Sequence, residues 1–287
     1  RLLEANVLMG RGRYGEAAKR LEDCGDTGGW SNYARFNLGV ALVRAGDTAR
    51  GRQFLEQVGT MQAANEEQAS LRDRANLAIG FALLQQQGGE DPAAVLSRVR
   101  LDGPFTNKAL LALGWAETNA NRPDRALVPW LELQQRRLLD ASVQESLIAV
   151  PYAYVKLASN GQASAHYRSA VDAYARESRR IDESIAAIRQ GGFLDSILAT
   201  VPQGDRPGWF WQLEQLPDAP HTRYLYHLLA SHEFQEGLKN YRDLRLMQAN
   251  LARWTDSLEA FGAMIDAREV AATQREPRQR EMLSGTD

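Results

Sequence analysis

The sequence predicts an all-α solenoid of stacked helical hairpins, and three observations predict it. Gly12 to Gly46, Leu21 to Leu55 and Cys24 to Val58 are each 34 residues apart, as are Gly80 and Gly114. Self-similarity at a period between about 20 and 50 residues marks a repeat architecture. The pairs Leu38-Gly39, Ile79-Gly80 and Leu113-Gly114 put a small residue inside an amphipathic stretch. A glycine there lets the two helices of a hairpin approach closely while larger apolar residues fill the space to the next hairpin. Five such units follow in succession, and although one hairpin cannot bury its own face, a stack can.

The first unit is marked by Ala5, Leu8, Gly12, Tyr14, Ala17, Leu21 and Cys24, the second by Leu38-Gly39, Leu42, Gly46, Gly51, Leu55 and Val58. Gly39 to Gly80 is 41 residues, so an insertion of seven is expected in TMQAANEEQ before the third unit, which offers Ile79-Gly80, Leu83, Pro92, Leu96 and Val99. The fourth, Asn107 to Leu133, is the most regular, with Leu113-Gly114, Ala126, Trp130 and Leu133. Its register predicts a buried Trp130 on the packing side of the second helix. The fifth carries Val150-Pro151, Tyr154, Gly161, Ala163, Tyr167 and Ala170, 37 residues on from Gly114. Pro151 lacks a backbone N–H and should kink the first helix there.

After Tyr174 the pattern changes. Residues 175–200 read as one or two amphipathic helices broken at Gly191-Gly192, followed by an ordered loop rich in proline and carrying Trp209, Phe210 and Trp211. From Thr222, a candidate N-cap, helical signals run almost unbroken to about Ala272. Leu244, Leu251, Leu258 and Ile265 recur every seven residues there, as do Met247, Trp254 and Phe261, which forms a heptad seam suited to a long packing helix. The expected division is therefore 1–174 for the hairpins, 175–272 for a C-terminal helical region and 273–287 for a polar tail that frays.

Composition limits the function classes. The 287 residues are 44% hydrophobic, enough for a packed core. Their 34 basic and 36 acidic residues leave a net charge of −2, which disfavours nucleic acid as a partner. No apolar run approaches the roughly 20 residues of a membrane span. The single cysteine, Cys24, has no partner for an intramolecular disulfide and reads as a small packed hydrophobe. Arg1 falls inside a helical pattern, so residues are expected to precede it in the native protein.

Motifs for chemistry are sparse. GRGRYG at 10–15 has the letters of a dinucleotide fingerprint, but helix rather than strand precedes it, and Gly12 sits at a hairpin turn. No cofactor is expected. His221, His227 and His232 lie close in sequence with Glu233 beside them, but five residues along a helix separate His227 from His232 by about 140°. Surface or partly packed histidines are the better account, and a metal-dependent enzyme subunit using this region is the weaker alternative. Asp182-Glu183 lies on a solvated face, with nothing to place it in a cleft.

At the residues named for the five units, roughly Arg1 to Tyr174, the chain resembles the tetratricopeptide repeat family, here with divergent repeats. Departures are Thr48 and Pro123 where an aromatic is common, Gly51 and Pro92 in place of Ala, and Pro151 in place of Gly. The resemblance implies a right-handed solenoid whose first helices line a concave groove. It also implies that side chains one and five residues past the conserved glycine face a ligand. Those are Val40, Phe81, Trp115 and Tyr152, then Arg44, Gln85, Asn119 and Lys156; nearer the helix starts, Phe36, Arg74 and Lys108 would face the same way. Aromatic groups beside cations suit a peptide-binding surface, whereas apolar residues at helical spacing also serve simply as core. The cations do not reproduce a full carboxylate clamp.

The implied function is a non-catalytic scaffold or adaptor binding a protein or peptide through the groove, the long C-terminal helix, or both. Self-assembly through the heptad helix is the alternative. Trp209 and Trp211 either plug the open end of the solenoid or dock a partner, with plugging favoured because Pro207 and Pro217 bracket them. Repeat style and composition point to a bacterial, envelope-facing protein rather than a cytosolic one.

Overall fold

The computed structural model describes residues 1–22, 30–86, 91–191, 193–199 and 222–284, with side chains at 195, 198, 199, 274 and 276–284 excepted. Every regular element among them is helical. The chain divides into two compact units, Arg1–Ala175 and Arg176–Asp287.

The first unit pairs α1 (Leu2–Gly10) with α2 (Tyr14–Glu22), α3 (Ser31–Arg44) with α4 (Thr48–Gly59), and α5 (Glu66–Gln85) with α6 (Pro92–Leu96). The pairs continue with α7 (Thr106–Asn119) and α8 (Pro123–Gln134), then α9 (Ala141–Lys156) and α10 (Asn160–Arg189), the last running on into the second unit. Starts are set by side chains that satisfy free helix N–H groups. Asp47 accepts from the Arg50 backbone N–H, Asn65 from Gln68, Asp91 from Ala93 and Asp140 from Ser142. Gln68 returns a bond by accepting from the Ala64 N–H at 2.9 Å.

Four hairpin turns among the described residues are built alike. At Gly12, Gly46, Asn121 and Ala158 the backbone φ is +73°, +97°, +57° and +56°. The next residue in each case, Arg13, Asp47, Arg122 or Ser159, donates its N–H at 2.9 Å to a carbonyl five residues back. The positive-φ residue itself donates three residues back, at 3.0 to 3.1 Å. This pair of bonds is the Schellman closure, which satisfies orphan carbonyls and turns the chain sharply into the second helix.

The glycines inside the first helices are contact points. A Cβ on Gly39 would lie 2.7 Å from Leu55 Cγ and 2.9 Å from the Gly51 carbonyl, and one on Gly51 would lie 2.7 Å from the Gly39 carbonyl. On Gly80 it would strike Leu96, and on Gly114 the Trp130 indole. The filling side chain stands sixteen positions after the glycine each time, so each hairpin is a small residue on one helix beneath a large one on the other. Core clusters run along the stack in overlapping sets, from Ala5, Leu21 and Leu42, through Leu55, Leu71 and Ile79, to Leu96 and Ala112, and then Trp130, Leu133 and Val150.

Differences from expectation have local causes. The insertion before the third unit becomes extra helix: α5 has 20 residues where α3 and α7 have 14. Asn76, fully buried on α5, ties this longer helix to the preceding hairpin by donating to the Gly59 carbonyl at 2.9 Å. The third unit's second helix is only five residues long. As expected of a helix that kinks rather than ends at its proline, α9 runs on to Lys156 with Pro151 buried inside it, and α8 continues past buried Pro129. Cys24 lies outside the described residues.

In the second unit α10 ends at Arg189, Gly191 adopts φ +80°, and α11 (Phe193–Ala199) follows. The helix expected from Thr222 is interrupted. After α12 (Thr222–Leu229), the Ser231 hydroxyl accepts from the Phe234 N–H at 3.3 Å and starts α13 (His232–Ser284). The Gln235 side-chain amide donates to the Leu229 carbonyl at 2.5 Å, completing the switch. Ile197, Leu229 and Leu238 form the local core, flanked by Phe193, Leu194, Leu225 and Phe234. Helix α13 has 53 residues and extends through the stretch expected to fray, as far as Ser284. No helix among the described residues is long and apolar enough to cross a membrane.

Candidate functional site

The first helices α1, α3, α5, α7 and α9 form a row, and polar side chains link several neighbours along it. The Asn37 side-chain amide donates to Asn6 Oδ1 at 3.0 Å, and the Tyr33 hydroxyl donates to the Glu67 carboxylate. That bond raises the Tyr33 phenol above its ordinary pKa. The Trp115 indole N–H donates to Glu145 Oε1 at 2.7 Å. At the end of the row Tyr174 on α10 donates to the Gln144 carbonyl at 2.8 Å.

Trp115 is the hub. Its ring meets Trp130 edge-on at 4.9 Å between centroids, and Tyr152 at 5.9 Å with the planes inclined by 47°. Such tilted arrangements suit the ring quadrupoles. Lys156, one helical turn beyond Tyr152, holds its ammonium 5.4 Å from that ring. Trp115 and Tyr152 are half-buried, whereas Phe81, in the same slot of α5, is 43% exposed. The two tryptophans of the fourth hairpin thus separate as expected. Trp130 is fully buried, its N–H donating to the Leu111 carbonyl at 3.1 Å, and Trp115 keeps part of its ring open.

The other groove candidates divide. Arg44, Gln85, Lys108, Asn119 and Lys156 are exposed, and Val40 is half-buried against the core. Arg74 is exposed too, with its guanidinium 5.0 Å from the Phe36 ring. Phe36 is the correction. It is 5% exposed and packs with Leu55, Leu71 and Ile79. Arg74 and Lys108 stand six residues before their glycines, and the residue six before Gly39 is Tyr33; Phe36, three before, rotates into the contact between α3 and α5. The same offset from Pro151 reaches Glu145. Applied evenly, that spacing would have added both Tyr33 and Glu145 to the candidates, which sequence reasoning missed.

The face is therefore mixed in charge. Contacts bring Trp115, Tyr152, Lys156 and Glu145 together on α7 and α9, while Phe81, Arg74, Glu67 and Lys108 are exposed on α5 and α7. A concavity of about 550 Å³ lies at the last hairpin and is lined by Val155, Ala163, Tyr167, Arg168 and Val171. Trp209 and Trp211, weighed as a plug or docking knob, lie outside the described residues, as does His221. His227 and His232 are exposed and sit on different helices. Among the described residues no three His, Cys, Asp or Glu side chains converge as metal ligands would.

No family model matches the chain, and no curated protein matches it. Among solved structures it is similar to MamA AMB-1 at 21% identity and a TM-score of 0.46, over 60% of this chain and 95% of that one. MamA MSR-1 gives 22% and 0.44, over 61% and 94%. A Podospora anserina kinesin light chain protein with nearly identical TPR-like repeats gives 17% and 0.47, over 62% and 94%. Independently of those likenesses, the recurring Schellman turn and the small residue beneath a large one sixteen positions on make residues 1–175 a stack of tetratricopeptide-like helical hairpins.

Proposed function

We propose that the chain is a non-catalytic scaffold that holds a partner protein or extended peptide against the row of first helices. One observation carries this reading: Phe81, Trp115 and Tyr152, in the same slot of three successive first helices, keep ring surface open, with Lys156 over the Tyr152 ring and exposed Arg74 and Lys108 on the same helices as Phe81 and Trp115. Core packing requires none of this exposure, since Ile79, Leu83, Leu110 and Val150 already fill the interior. Partly buried aromatics and cations are the groups that dominate interface energetics. A ligand suited to the face has apolar side chains for the rings and carboxylates for the cations. Glu67 and Glu145 disfavour a purely acidic one.

The test is capture of partners from host extract by the parent chain and by a Phe81→Ala, Trp115→Ala, Tyr152→Ala variant of unchanged helicity. Loss of specific bands is expected; undiminished capture removes the groove from consideration. Because Trp115 also touches Trp130, a Phe81→Ala, Lys108→Glu, Lys156→Glu variant, which leaves the core alone, should weaken capture in the same direction.

A second reading, self-association through α13, is favoured by a specific observation of its own. Leu244, Met247, Leu251, Trp254, Leu258, Phe261 and Ile265 are each 54% to 69% exposed. Replacing Leu251 and Leu258 by Asp should lower the mass measured by light scattering. An unchanged mass in parent and variant would argue against self-association.

A further inference from the structure

The apolar residues of α13 alternate at spacings of three and four from Leu244 to Ile265, the pattern that keeps one stripe facing a partner helix. They form two rows of different character. One holds Leu244, Leu251, Leu258 and Ile265, all branched aliphatics; the other holds Met247, Trp254 and Phe261, all larger or longer. The start of the helix is anchored through Phe234, Leu238 and the buried Arg242, whereas every described side chain from Leu251 to Thr273 is exposed. A helix with so little of its own chain against it is marginal in water, and an apolar stripe of this length left open invites association.

The seam's borders indicate the occupant. Between Gln248 and Met264 the positions beside the stripe are Gln248, Asn250, Thr255, Ser257, Gly262 and Met264, none of them charged. Charges at these positions set partner choice and orientation, and like charges facing each other oppose the pairing of two copies. Without them, two copies meet with no like-charge repulsion. The seven seam residues expose roughly 800 Å² together, about the area each partner contributes to a stable interface of standard size.

The two rows decide the orientation. Parallel pairing sets each row against itself, so Trp254 would lie on Trp254 and Phe261 on Phe261, in overfull layers alternating with leucine layers that leave space. Parallel dimers favour β-branched residues in the first row and leucine in the second, and here aromatics occupy the second. Antiparallel pairing sets one row against the other, so every layer combines a branched aliphatic with a large side chain. Layers of even volume satisfy the close packing that interiors require.

Resting on the self-association reading, we propose that the 244–265 segments of two copies pair antiparallel in six mixed layers, three successive branched aliphatics of each copy facing Met247, Trp254 and Phe261 of the other. Full-length protein with Cys24→Ser and either Arg253→Cys or Ala267→Cys takes one nitroxide label per copy, and pulsed electron resonance gives the separation at each site. In an antiparallel pair the separation at 267 exceeds that at 253 by about 20 Å or more, because the axial offset grows by about 1.5 Å per residue in each copy. Equal separations at the two sites overturn the orientation while leaving self-association standing. A monomeric mass, with no measurable separation at either site, overturns both. Circular dichroism matching the parent confirms that labelling has not unfolded the helix.

Discussion

Trp130 occupies the volume that a side chain on Gly114 would need, and its indole nitrogen is the nearest atom to that absent Cβ. The ring is held from two further directions, by the hydrogen bond to Leu111 and by the edge of Trp115. It has no low-cost way to retreat. Gly114→Ala should therefore destabilise the chain by about 1–3 kcal/mol, the range for overpacked cores. Chemical denaturation measures it, and the Gly114→Ala, Trp130→Leu double variant should lose less than the two single losses combined, because the residues share one volume. Leu55 and Leu96 already fill the equivalent places over Gly39 and Gly80.

Ala158 occupies a turn position that two other hairpins give to glycine, at φ +56°. The left-handed region costs an L-residue with a Cβ roughly 1–2 kcal/mol. Glycine removes that cost but adds freedom to the unfolded chain, which returns about half of it. Ala158→Gly should raise stability by up to about 1 kcal/mol. Gly46→Ala, at φ +97°, should lower it by a similar amount. A higher thermal midpoint for the first and a lower one for the second are the expected readings, and a null result for both would contradict the turn geometry.

The hairpin register was legible because each closing contact pairs a glycine with one large residue at a constant offset, and periodicity transmits such pairs into sequence. Trp130 and Trp115 could be told apart on that basis. Phe36 was misplaced because three residues of helix separate a groove position from a core position, a difference that composition does not mark. The start of α13 was missed because Ser231 acts through its hydroxyl, and a single serine within apolar periodicity is a weak signal beside the residues around it. The buried polar ties were beyond reach for another reason: Asp73 meets Arg100 across a connection whose path periodicity does not describe.

That tie leads to a stability prediction. Asp73 is fully buried, with Arg100 Nε at 2.7 Å, and the guanidinium extends to Glu66 at 2.8 and 2.9 Å. Arg100 is held well above its ordinary pKa by its hydrogen bonds to Glu66 and Asp73, so it stays charged throughout. Arg100→Ala leaves a buried carboxylate without its counter-charge, an omission that costs about 3–5 kcal/mol. Replacing Arg100 and Asp73 together by Leu and Asn should recover a substantial part, since the penalty lies in the unpaired charge. Urea unfolding of the parent and the two variants checks both statements, and an Arg100→Ala variant as stable as the parent would show that the pair contributes nothing.

Glu66 makes part of this network dependent on pH. Its carboxylate is held below the ordinary range by the hydrogen bonds from Arg100. A carboxyl depressed in the folded state binds protons more readily when unfolded, so its contribution is present above the ordinary carboxylate pKa and disappears as pH falls through the depressed value. The side chain is exposed, so water and salt screen the link and the effect is small. The expected result is a stability difference between parent and Glu66→Gln that is largest near neutral pH and shrinks between about pH 5 and pH 3. Added salt should reduce that difference at neutral pH. A gap that instead widened on acidification would mean that Glu66 binds its proton more tightly in the folded chain, the reverse of what its position beside Arg100 dictates.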